Sequence, residues 1–369
     1  MRPGTGHAPM LSHADVPAWL VARGLLDNDA VLDGDLVVRD VSSRNRNYRV
    51  ETNGARGYLL QQGLGDEAAA TVANEASVYQ ALGAEPALAA ILPRLHHYDA
   101  DERVLVLELV SDGQDLRVYH SATGRFSAGP SAALGTALGA LHRATRRQAT
   151  PLPAAAAWAL SLSEPPLAIL RDISAAGIEL LRVVQSAPGL AEALAGLRQT
   201  WLPEAIVHGD VKWENCLVTD ADGPAEGVRL VDWESAAYGD PAWDIGSALA
   251  QFLSFWVFSI PITGAEPPER FPELAAHPLD AMKPALAACW MAYQAALALP
   301  RAESEARLLR AVSFAGVRVL QAAFEAAQYQ QGLTSAVVLH LQLAHNILLR
   351  PEDAAARLLG LPLQPGGWP

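Results

Sequence analysis

Two hydrophobic patterns divide the chain. Between residues 34 and 109, apolar and polar positions alternate in short runs separated by turn residues, as is typical of antiparallel strands. These runs predict strands at 36–41, 48–51, 57–62, 96–99 and 104–109, with one helix at 68–82. Further along the chain, apolar positions recur at helical spacing. The helices predicted there are 135–143, 178–185, 190–201, 281–299, 302–328 and 335–348. The fold class is therefore α+β, with a small antiparallel sheet that carries one helix and a larger helical part.

A polar, glycine-containing segment, 111–115, separates the two patterns and is the best candidate for a domain boundary. A short capped helix that begins near residue 15 precedes the sheet. The chain is therefore divided into an N-terminal tail and helix (1–30), a small β-rich lobe (31–112) and a helical lobe (113–369). The Pro- and Ala-rich residues 151–166 are expected to cross the surface of the helical lobe.

Composition narrows the classes of function. The formal net charge is −13, and no block of Lys and Arg forms a stripe that could follow a phosphate backbone, which argues against a nucleic-acid partner. The two cysteines, Cys216 and Cys289, are far apart and lack metal-ligand spacing, which favours a reduced, cytoplasmic protein. No signal peptide is recognisable. The apolar segment 248–262 is short and is broken by Pro261, so it predicts a buried helix and no membrane span.

One polar stretch lies between two short apolar runs. Asp210, Lys212 and Asn215 follow one run and precede the next, which predicts a loop held between two strands. Asp232 comes seventeen residues after Asn215, at the end of another apolar run. An Asp, an Asn and a second Asp at the ends of neighbouring strands supply a base for a hydroxyl group and oxygen ligands for Mg²⁺. This pattern predicts phosphoryl transfer.

These motifs resemble the aminoglycoside phosphotransferase and choline kinase group, which has the bilobal protein-kinase-like fold. Residues 208–215, a His-Gly-Asp sequence with an Asn five positions after the Asp, match the catalytic loop of that group. Residues 231–234 match its metal-binding segment, and residues 239–246 match the Asp-Pro and Asp-Ile signature that follows. Within this signature, Asp244 is expected to brace the catalytic loop from the core. The resemblance covers residues 15–350 and implies a kinase that uses ATP and Mg²⁺ and has an alcohol acceptor.

The resemblance also implies roles for individual residues. Asp210 would accept the proton of the attacking hydroxyl group, and Asn215 and Asp232 would bind Mg²⁺. Lys212 would contact the transferred phosphate. His208 is expected to position the loop by hydrogen bonding and not to act as a base.

The small lobe would bind the nucleotide. Its first hairpin contains the polar loop 42–47, which would fold over the phosphates although it has no glycine. The side chains that could contact phosphate from this loop are Ser43, Arg44 and Arg46.

The third strand departs from the pattern of the family. It carries Gln61 where the family has a lysine that binds the phosphates and pairs with a helical glutamate, here Glu75. No lysine occurs anywhere in this lobe. Three alternatives follow. Arg49 or a loop arginine replaces the charge, Lys212 together with Mg²⁺ suffices, or phosphoryl transfer is weak or absent.

The acceptor is expected to bind the helical lobe between residues 250 and 345. Scattered acidic side chains that could meet a cationic acceptor are Glu266, Glu269, Glu303, Glu305 and Glu325.

A finer similarity concerns residues 43–49 and 57–60. They are similar to the kinase-like subunits of lanthipeptide and thioamide-peptide biosynthesis, which phosphorylate Ser or Thr of a precursor peptide before a partner lyase eliminates the phosphate. The predicted acceptor is accordingly a hydroxyl group of a ribosomally made peptide, with a lyase subunit as partner. The alternatives are a small metabolite or antibiotic as acceptor, a pseudokinase that scaffolds a partner enzyme, and a peptide-binding module without nucleotide.

Overall fold

The small lobe is a five-stranded antiparallel sheet. The computed structural model describes residues 10–34, 36–42, 45–53, 57–148, 150, 152–219, 227–262, 267, 270–361 and 363. The strands are β1 (Leu36–Asp40), β2 (Arg46–Thr52), β3 (Tyr58–Gln62), β4 (Leu95–Asp99) and β5 (Val104–Glu108). Their spatial order is β1-β2-β3-β5-β4. The predicted sheet is confirmed, but β2 begins earlier than predicted because Arg46 and Asn47 already pair with β3.

The two faces of the sheet pack against different helices. The helices of this lobe are α1 (Val16–Ala22), α2 (Asn28–Leu32) and α3 (Gly65–Gly83). Val104 and Val106 of β5 lie in a core with α1, whereas Leu105 and Leu107 belong to the main core together with α3. Alternate residues of one strand thus enter separate cores, as the period of two along a strand requires.

The large lobe is helical. Its helices are α4 (Leu116–Thr123), α5 (Ala128–Thr145), α6 (Leu167–Leu170), α7 (Ala175–Ser186), α8 (Leu190–Gln199), α9 (Pro241–Phe258), α10 (Phe271–Leu274), α11 (Leu279–Leu297), α12 (Arg301–Ala327), α13 (Ser335–Leu349) and α14 (Pro351–Asp353). All six predicted helices of this lobe are present, although α5 begins earlier than predicted. Helices α5 and α11 pack closely because Gly135 lacks a side chain, and a Cβ atom there would lie 2.0 Å from the Cys289 carbonyl oxygen.

The apolar segment 248–262 is buried over most of its length, as predicted, although Phe258 near its end is exposed. Most of it lies in α9, whose side chains Leu249 and Leu253 are fully buried. Among the helices of the described residues, none has both the length and the apolar character that a membrane span requires.

The surface crossing predicted for residues 151–166 is wrong in its central part. Residues Trp158–Ser161 form a 3₁₀ turn in which Leu160 is buried, and Leu162 is buried as well. The Trp158 ring meets Phe324 of α12 edge-on, with 5.6 Å between the ring centroids. Apolar side chains therefore draw this segment into the lobe, where it forms one wall of the cleft described below.

Five short strands position the polar loops. They are β6 (Gln114–Asp115), β7 (Ala205–Val207), β8 (Cys216–Thr219), β9 (Gly227–Leu230) and β10 (Ala237–Gly239). Strands β6, β8 and β9 form one antiparallel sheet, and β7 pairs with β10. The polar stretch 208–215 leaves β7 and enters β8, so the predicted loop between two strands is confirmed. Asp232 follows β9, the partner of β8, which brings the two polar segments together.

Candidate active site

The loop that follows β7 is fixed by Asp244, a fully buried side chain in the first turn of α9. Its Oδ2 atom accepts a hydrogen bond from the His208 amide at 2.7 Å, and Oδ1 accepts one from the Gly209 amide at 3.0 Å. His142 Nε2 lies 3.1 Å from Oδ2, and the Tyr293 hydroxyl lies 3.2 Å from His142 Nδ1. A buried carboxylate with this many partners is stably held. The predicted bracing role of Asp244 is confirmed.

His208 uses both ring nitrogens within the structure. Nε2 donates to the Val231 carbonyl oxygen at 2.9 Å, and Nδ1 accepts from the Asp210 amide at 3.3 Å. The ring also packs on Trp233, with 4.6 Å between the ring centroids. His208 therefore ties the loop to the strand end before Asp232, in agreement with the predicted positioning role.

Gly209 is required at the turn between His208 and Asp210. Its φ angle is +82°, and a Cβ atom there would lie 2.3 Å from the Ser235 carbonyl oxygen. Both the left-handed backbone and the lack of space exclude a side chain. Trp243 Nε1 donates to the Gly209 carbonyl oxygen at 2.9 Å and holds the turn from the other side.

Four predicted site residues meet at this point of the cleft. Lys212 Nζ lies 2.8 Å from Asp210 Oδ2 and 3.8 Å from Asp232 Oδ2. Asn215 Nδ2 donates to the Asp210 carbonyl oxygen at 3.1 Å. Burial lowers the pKa of Lys212, but the charges of Asp210 and Asp232 outweigh it and hold that pKa above its ordinary value. Lys212 is therefore a permanent cation between the two carboxylates.

Arg318 of α12 contacts the same carboxylate and was missed by the sequence analysis. Its side chain is only 4% exposed, and Nη2 lies 3.3 Å from Asp210 Oδ1. Its Nη1 atom donates to Glu325 Oε1 at 3.1 Å. Burial raises the pKa of Asp210, but the charges of Arg318 and Lys212 outweigh it and hold that pKa below its usual range. Each oxygen of Asp210 thus has its own cation.

Asn215 and Asp232 fit the requirements of a Mg²⁺ ion. The Asn215 amide nitrogen is already bonded to a carbonyl oxygen, so its own oxygen is the ligand atom that remains. Asp232 has a left-handed backbone, with φ 66° and ψ 61°, and its side chain lines the cleft. Mg²⁺ is commonly held by one or two protein oxygens together with water and substrate phosphates. In the described parts of the chain, no three His, Cys, Asp or Glu side chains cluster as a metal cage.

Glu75 of α3 has a different partner from the strand lysine of the family. It is buried, and its Oε1 atom accepts a hydrogen bond from the Trp233 amide at 3.2 Å. The neighbouring Asn74 donates to the Ala236 carbonyl oxygen at 3.0 Å. Burial and, secondly, the charge of Asp232 raise the pKa of Glu75 to about 8. Helix α3 is therefore attached directly to the turn that carries Asp232.

Gln61 faces the cleft from β3. It is 8% exposed and lies opposite Asn47 of β2 in the strand register. Gln61, Asn47 and Asn45 all line the same cavity as Asp210 and Lys212. The side-chain oxygens of these three carboxamides are buried and have no hydrogen-bond partner among the residues that the structure describes.

Two of the arginines predicted to bind phosphate, Arg46 and Arg49, lie away from the catalytic residues. Arg46 precedes Asn47 in β2 and therefore points to the opposite face of the sheet, where Nη1 lies 3.5 Å from Asp40 Oδ2. Arg49 Nε lies 2.7 Å from Glu51 Oε1, and Arg49 does not line the cavity. The structure does not bring these two arginines to the catalytic residues. Ser43 and Arg44, predicted for the same role, lie outside the described residues.

The cleft is a cavity of about 1080 Å³ between the lobes. The three carboxamides line its small-lobe side, and Asp210, Lys212 and Asp232 line its centre. Trp158, with Phe324 and Glu325 of α12, lines the far side. Of the acidic residues predicted to meet an acceptor, Glu325 lies here, whereas Glu266 and Glu269 fall outside the described residues. The cavity thus extends from the carboxamides of the small lobe to the side chains of α12.

Comparison with known proteins assigns the family. Residues 37–278 match the phosphotransferase enzyme family, which is more than half of the chain. The chain belongs to this family, and the predicted enzyme class, a phosphotransferase with a hydroxyl acceptor, is confirmed. Among curated proteins, no sequence matches the chain.

Solved structures agree on the fold. Macrolide 2'-phosphotransferase type I superposes with a TM-score of 0.51 at 17% identity, over 89% of this chain and 100% of that one. The GDP complex of an aminoglycoside 2'-phosphotransferase-IIIa mutant gives 0.51 at 12% identity, over 91% and 98%. Choline kinase LicA from Streptococcus pneumoniae gives 0.49 at 15% identity, over 92% and 99%. The first two confirm the predicted bilobal kinase-like α+β fold.

Proposed function

We propose that the protein transfers the γ-phosphoryl group of ATP to a hydroxyl group of an acceptor bound beside α12. The observation that carries this proposal is the position of Asp210 in the cleft. Its two oxygens are held by Lys212 and Arg318, and Asp232 lies across the same Lys212 ammonium group. The nucleotide in the GDP complex of the similar aminoglycoside enzyme supports nucleotide use.

The residues divide the chemistry between them. Asp210 is ionised at neutral pH, so it can accept a hydrogen bond from the acceptor hydroxyl and orient that oxygen towards the phosphorus. A weakly basic carboxylate suffices, because the transition state of phosphoryl transfer is loose and little proton transfer is needed early. Lys212 supplies a positive charge next to the same site, where charge develops on the transferred group.

Mg²⁺ belongs to this proposal through Asn215 and Asp232, whose oxygens would hold it. When bound, the ion neutralises phosphate charge. The turn that carries Asp232 is fixed by Glu75, and the loop that carries Asn215 is fixed by Asp244. Both ligand residues are therefore positioned by buried hydrogen bonds before an ion binds.

A small molecule is the acceptor that the cleft favours. Trp158 and Phe324 present an aromatic wall, and the neighbouring Glu325 presents a carboxylate that Arg318 and Gln321 orient. The names of similar structures state macrolide, aminoglycoside and choline as their substrates, and these carry hydroxyl groups. The peptide acceptor with a lyase partner stays a prediction, because the segment that suggested it lies partly outside the described residues. The pseudokinase alternative is disfavoured because Asp210, Asn215 and Asp232 are all present, although the small-lobe lysine is not.

Asp210→Asn tests the proposal. The wild-type protein is incubated with Mg²⁺ and γ-labelled ATP or GTP, together with macrolides, aminoglycosides, choline, or Ser- and Thr-containing peptides. Label is expected to move to one of the small molecules. In the variant, turnover is expected to fall by about 10³-fold, because a neutral amide cannot accept the proton. MgADP affinity is expected to stay within about twofold.

The matched control is Asp353→Asn, which removes an exposed carboxylate that pairs with Arg357 in the last helical segment. It is expected to transfer phosphate like the wild type. Transfer that survives in Asp210→Asn would overturn the assignment of the base. Transfer to peptides alone would favour the peptide alternative.

A further inference from the structure

The small-lobe wall of the cleft contains a cluster of neutral oxygens where the family has a lysine. Gln61 of β3 and Asn47 of β2 are paired in register, and Asn45 lies two residues before Asn47, just outside β2. Directly opposite residues of antiparallel strands have Cβ atoms about 5 Å apart, so their amide groups can reach one ligand. All three line the cavity that contains Asp210 and Asp232.

The buried atoms of this cluster that lack a partner are side-chain oxygens, which are hydrogen-bond acceptors. Asn45 Oδ1, Asn47 Oδ1 and Gln61 Oε1 are buried, and within the described part of the chain no group donates to them. The adjacent Gln62 shows the contrast. It is also buried, but its Oε1 atom accepts from the Leu11 amide at 2.9 Å and its Nε2 atom donates to the Glu102 carbonyl oxygen at 3.1 Å. Buried polar atoms in native proteins are almost always paired, so three unpaired oxygens in one place indicate a ligand that donates hydrogen bonds or carries positive charge.

The charge of the cavity also favours a positively charged ligand. Its described lining has one cationic side chain, Lys212. Its carboxylates are Glu67, Asp172, Asp210, Asp232, Glu234 and Glu325. A polyphosphate that enters this cleft brings further negative charge, and like charges at these distances repel. Additional cations must therefore enter with the nucleotide, and one of them can lie where the family lysine would stand.

We propose that Asn45, Asn47 and Gln61 bind a monovalent cation of potassium size, which takes the place of the lysine ammonium group beside the nucleotide phosphates. This inference rests on the proposed function, because it assumes a nucleotide in the cleft. Neutral carbonyl-type oxygens that replace a hydration shell are the ligands with which proteins bind K⁺. Mg²⁺ instead retains water and is held through carboxylates. The ion restores the same single positive charge that Gln61 lacks.

The test is MgADP binding by titration calorimetry in KCl and in tetraethylammonium chloride at equal ionic strength. Tetraethylammonium is too large to bind between the carboxamides. The wild-type protein is expected to bind MgADP on the order of tenfold more tightly in KCl. Gln61→Lys supplies the charge covalently, so it is expected to bind MgADP equally well in both salts, with an affinity near that of the wild type in KCl.

Gln342→Lys is the control, because it adds the same charge on the exposed face of α13. It is expected to keep the KCl dependence of the wild type. Thermal unfolding of each variant checks that it is folded. In crystals of the MgADP complex grown with thallium(I) in place of K⁺, an anomalous peak is expected between Gln61 and Asn47.

Three outcomes would overturn the cation site. They are equal MgADP affinity of the wild type in both salts, a KCl dependence that persists in Gln61→Lys, and a thallium peak elsewhere in the cleft only. If MgADP binds equally in both salts, the proposed phosphoryl transfer is unaffected. If the wild type binds no MgADP in either salt, the proposed function fails, and the cation site fails with it.

Discussion

The two walls of the cleft satisfy their polar groups in opposite ways. On the large-lobe wall, Asp244 holds two backbone amides, and His208 uses both of its ring nitrogens. On the small-lobe wall, the buried side-chain oxygens of Gln61 and Asn47 have no partner among the described residues. Each unpaired buried oxygen costs about 1–3 kcal/mol unless something pairs with it. The large-lobe wall is therefore organised by the protein itself, whereas the small-lobe wall is completed by what it binds.

Asp244→Asn disrupts the hydrogen bonds that organise the large-lobe wall, and it has the largest expected effect on stability. In the variant, one side-chain oxygen becomes an NH2 group, which would face the His208 or the Gly209 amide. Two donors cannot pair with each other, so both would be left without a partner in the core. The free energy of unfolding is expected to fall by about 3–5 kcal/mol. The rate of phosphate transfer is expected to fall strongly as well. The measurement is denaturant unfolding. The control Asp280→Asn lies on the exposed start of α11 and is expected to change stability by less than about 0.5 kcal/mol. Equal stability of the two variants would contradict the bracing role.

Gly209→Ala tests whether the catalytic turn depends on space as well as on backbone conformation. Its added Cβ atom meets the Ser235 carbonyl oxygen, and its φ angle is +82°. Gly124→Ala is the matched control, since Gly124 has φ +60° and nothing lies within 4 Å of its Cβ position. Gly124→Ala is expected to cost about 1–2 kcal/mol of unfolding free energy, and Gly209→Ala clearly more, with loss of activity. Similar losses of unfolding free energy in Gly209→Ala and Gly124→Ala would show that the catalytic turn tolerates a side chain.

Glu75→Gln tests the contact between α3 of the small lobe and the Trp233 amide of the large lobe. The folded protein binds the Glu75 proton up to a pKa of about 8, whereas the unfolded chain releases it near 4.5. Stability is therefore expected to fall as the pH rises from about 4.5 to about 8. The glutamine side chain of the variant stays neutral at every pH and keeps the acceptor for the Trp233 amide.

At pH 8 the Glu75→Gln variant is expected to be a few kcal/mol more stable than the wild type in unfolding measurements, because each pKa unit is worth about 1.4 kcal/mol. The exposed Glu67→Gln in the same helix is expected to retain the pH dependence of the wild type. An unchanged pH dependence in Glu75→Gln would show that Glu75 is ionised in the folded protein.

Arg318→Leu has the smallest expected effect on folding and sharpens the role of the large-lobe wall in catalysis. Without this charge, the pKa of Asp210 is expected to rise. The acid limb of the kcat/KM profile, measured with the acceptor that the labelling experiment identifies, should then move to higher pH. Arg318→Lys keeps the charge and is expected to restore much of the profile, whereas the exposed Arg182→Leu serves as control. An acid limb that stays in place in Arg318→Leu would contradict the contact as a control of Asp210.

The same charge affects stability through Asp210. Because its pKa is lower in the folded protein than in the unfolded chain, the ionised carboxylate stabilises the fold above the usual pKa of an aspartate. That stabilisation is lost as the pH falls through the folded-state pKa. In Arg318→Leu this acid-dependent loss should be smaller than in the wild type.

Local patterns made much of the molecule predictable. The alternation in β3 and β5 and the helical spacing in α12 and α13 depend on neighbouring residues, and the structure has these elements close to the predicted bounds. Asp210, Asn215 and Asp232 were found because each follows or precedes a short apolar strand. The start of β2 was missed because Arg46 and Asn47 are polar, and only their pairing with β3 makes them strand residues.

The amino-acid sequence by itself determined the α+β class, the catalytic loop and the loss of the small-lobe lysine, because all three are written in short stretches of chain. The tertiary structure alone decided that Arg318 contacts Asp210 across 108 residues of sequence, and that Glu75 bonds to the Trp233 amide. It also decided that three carboxamides share one buried wall. The residues in these contacts are far apart in sequence, so no local pattern relates them. Burial shifts their pKa values and removes their polar atoms from water, and this burial exists only after the lobes have packed.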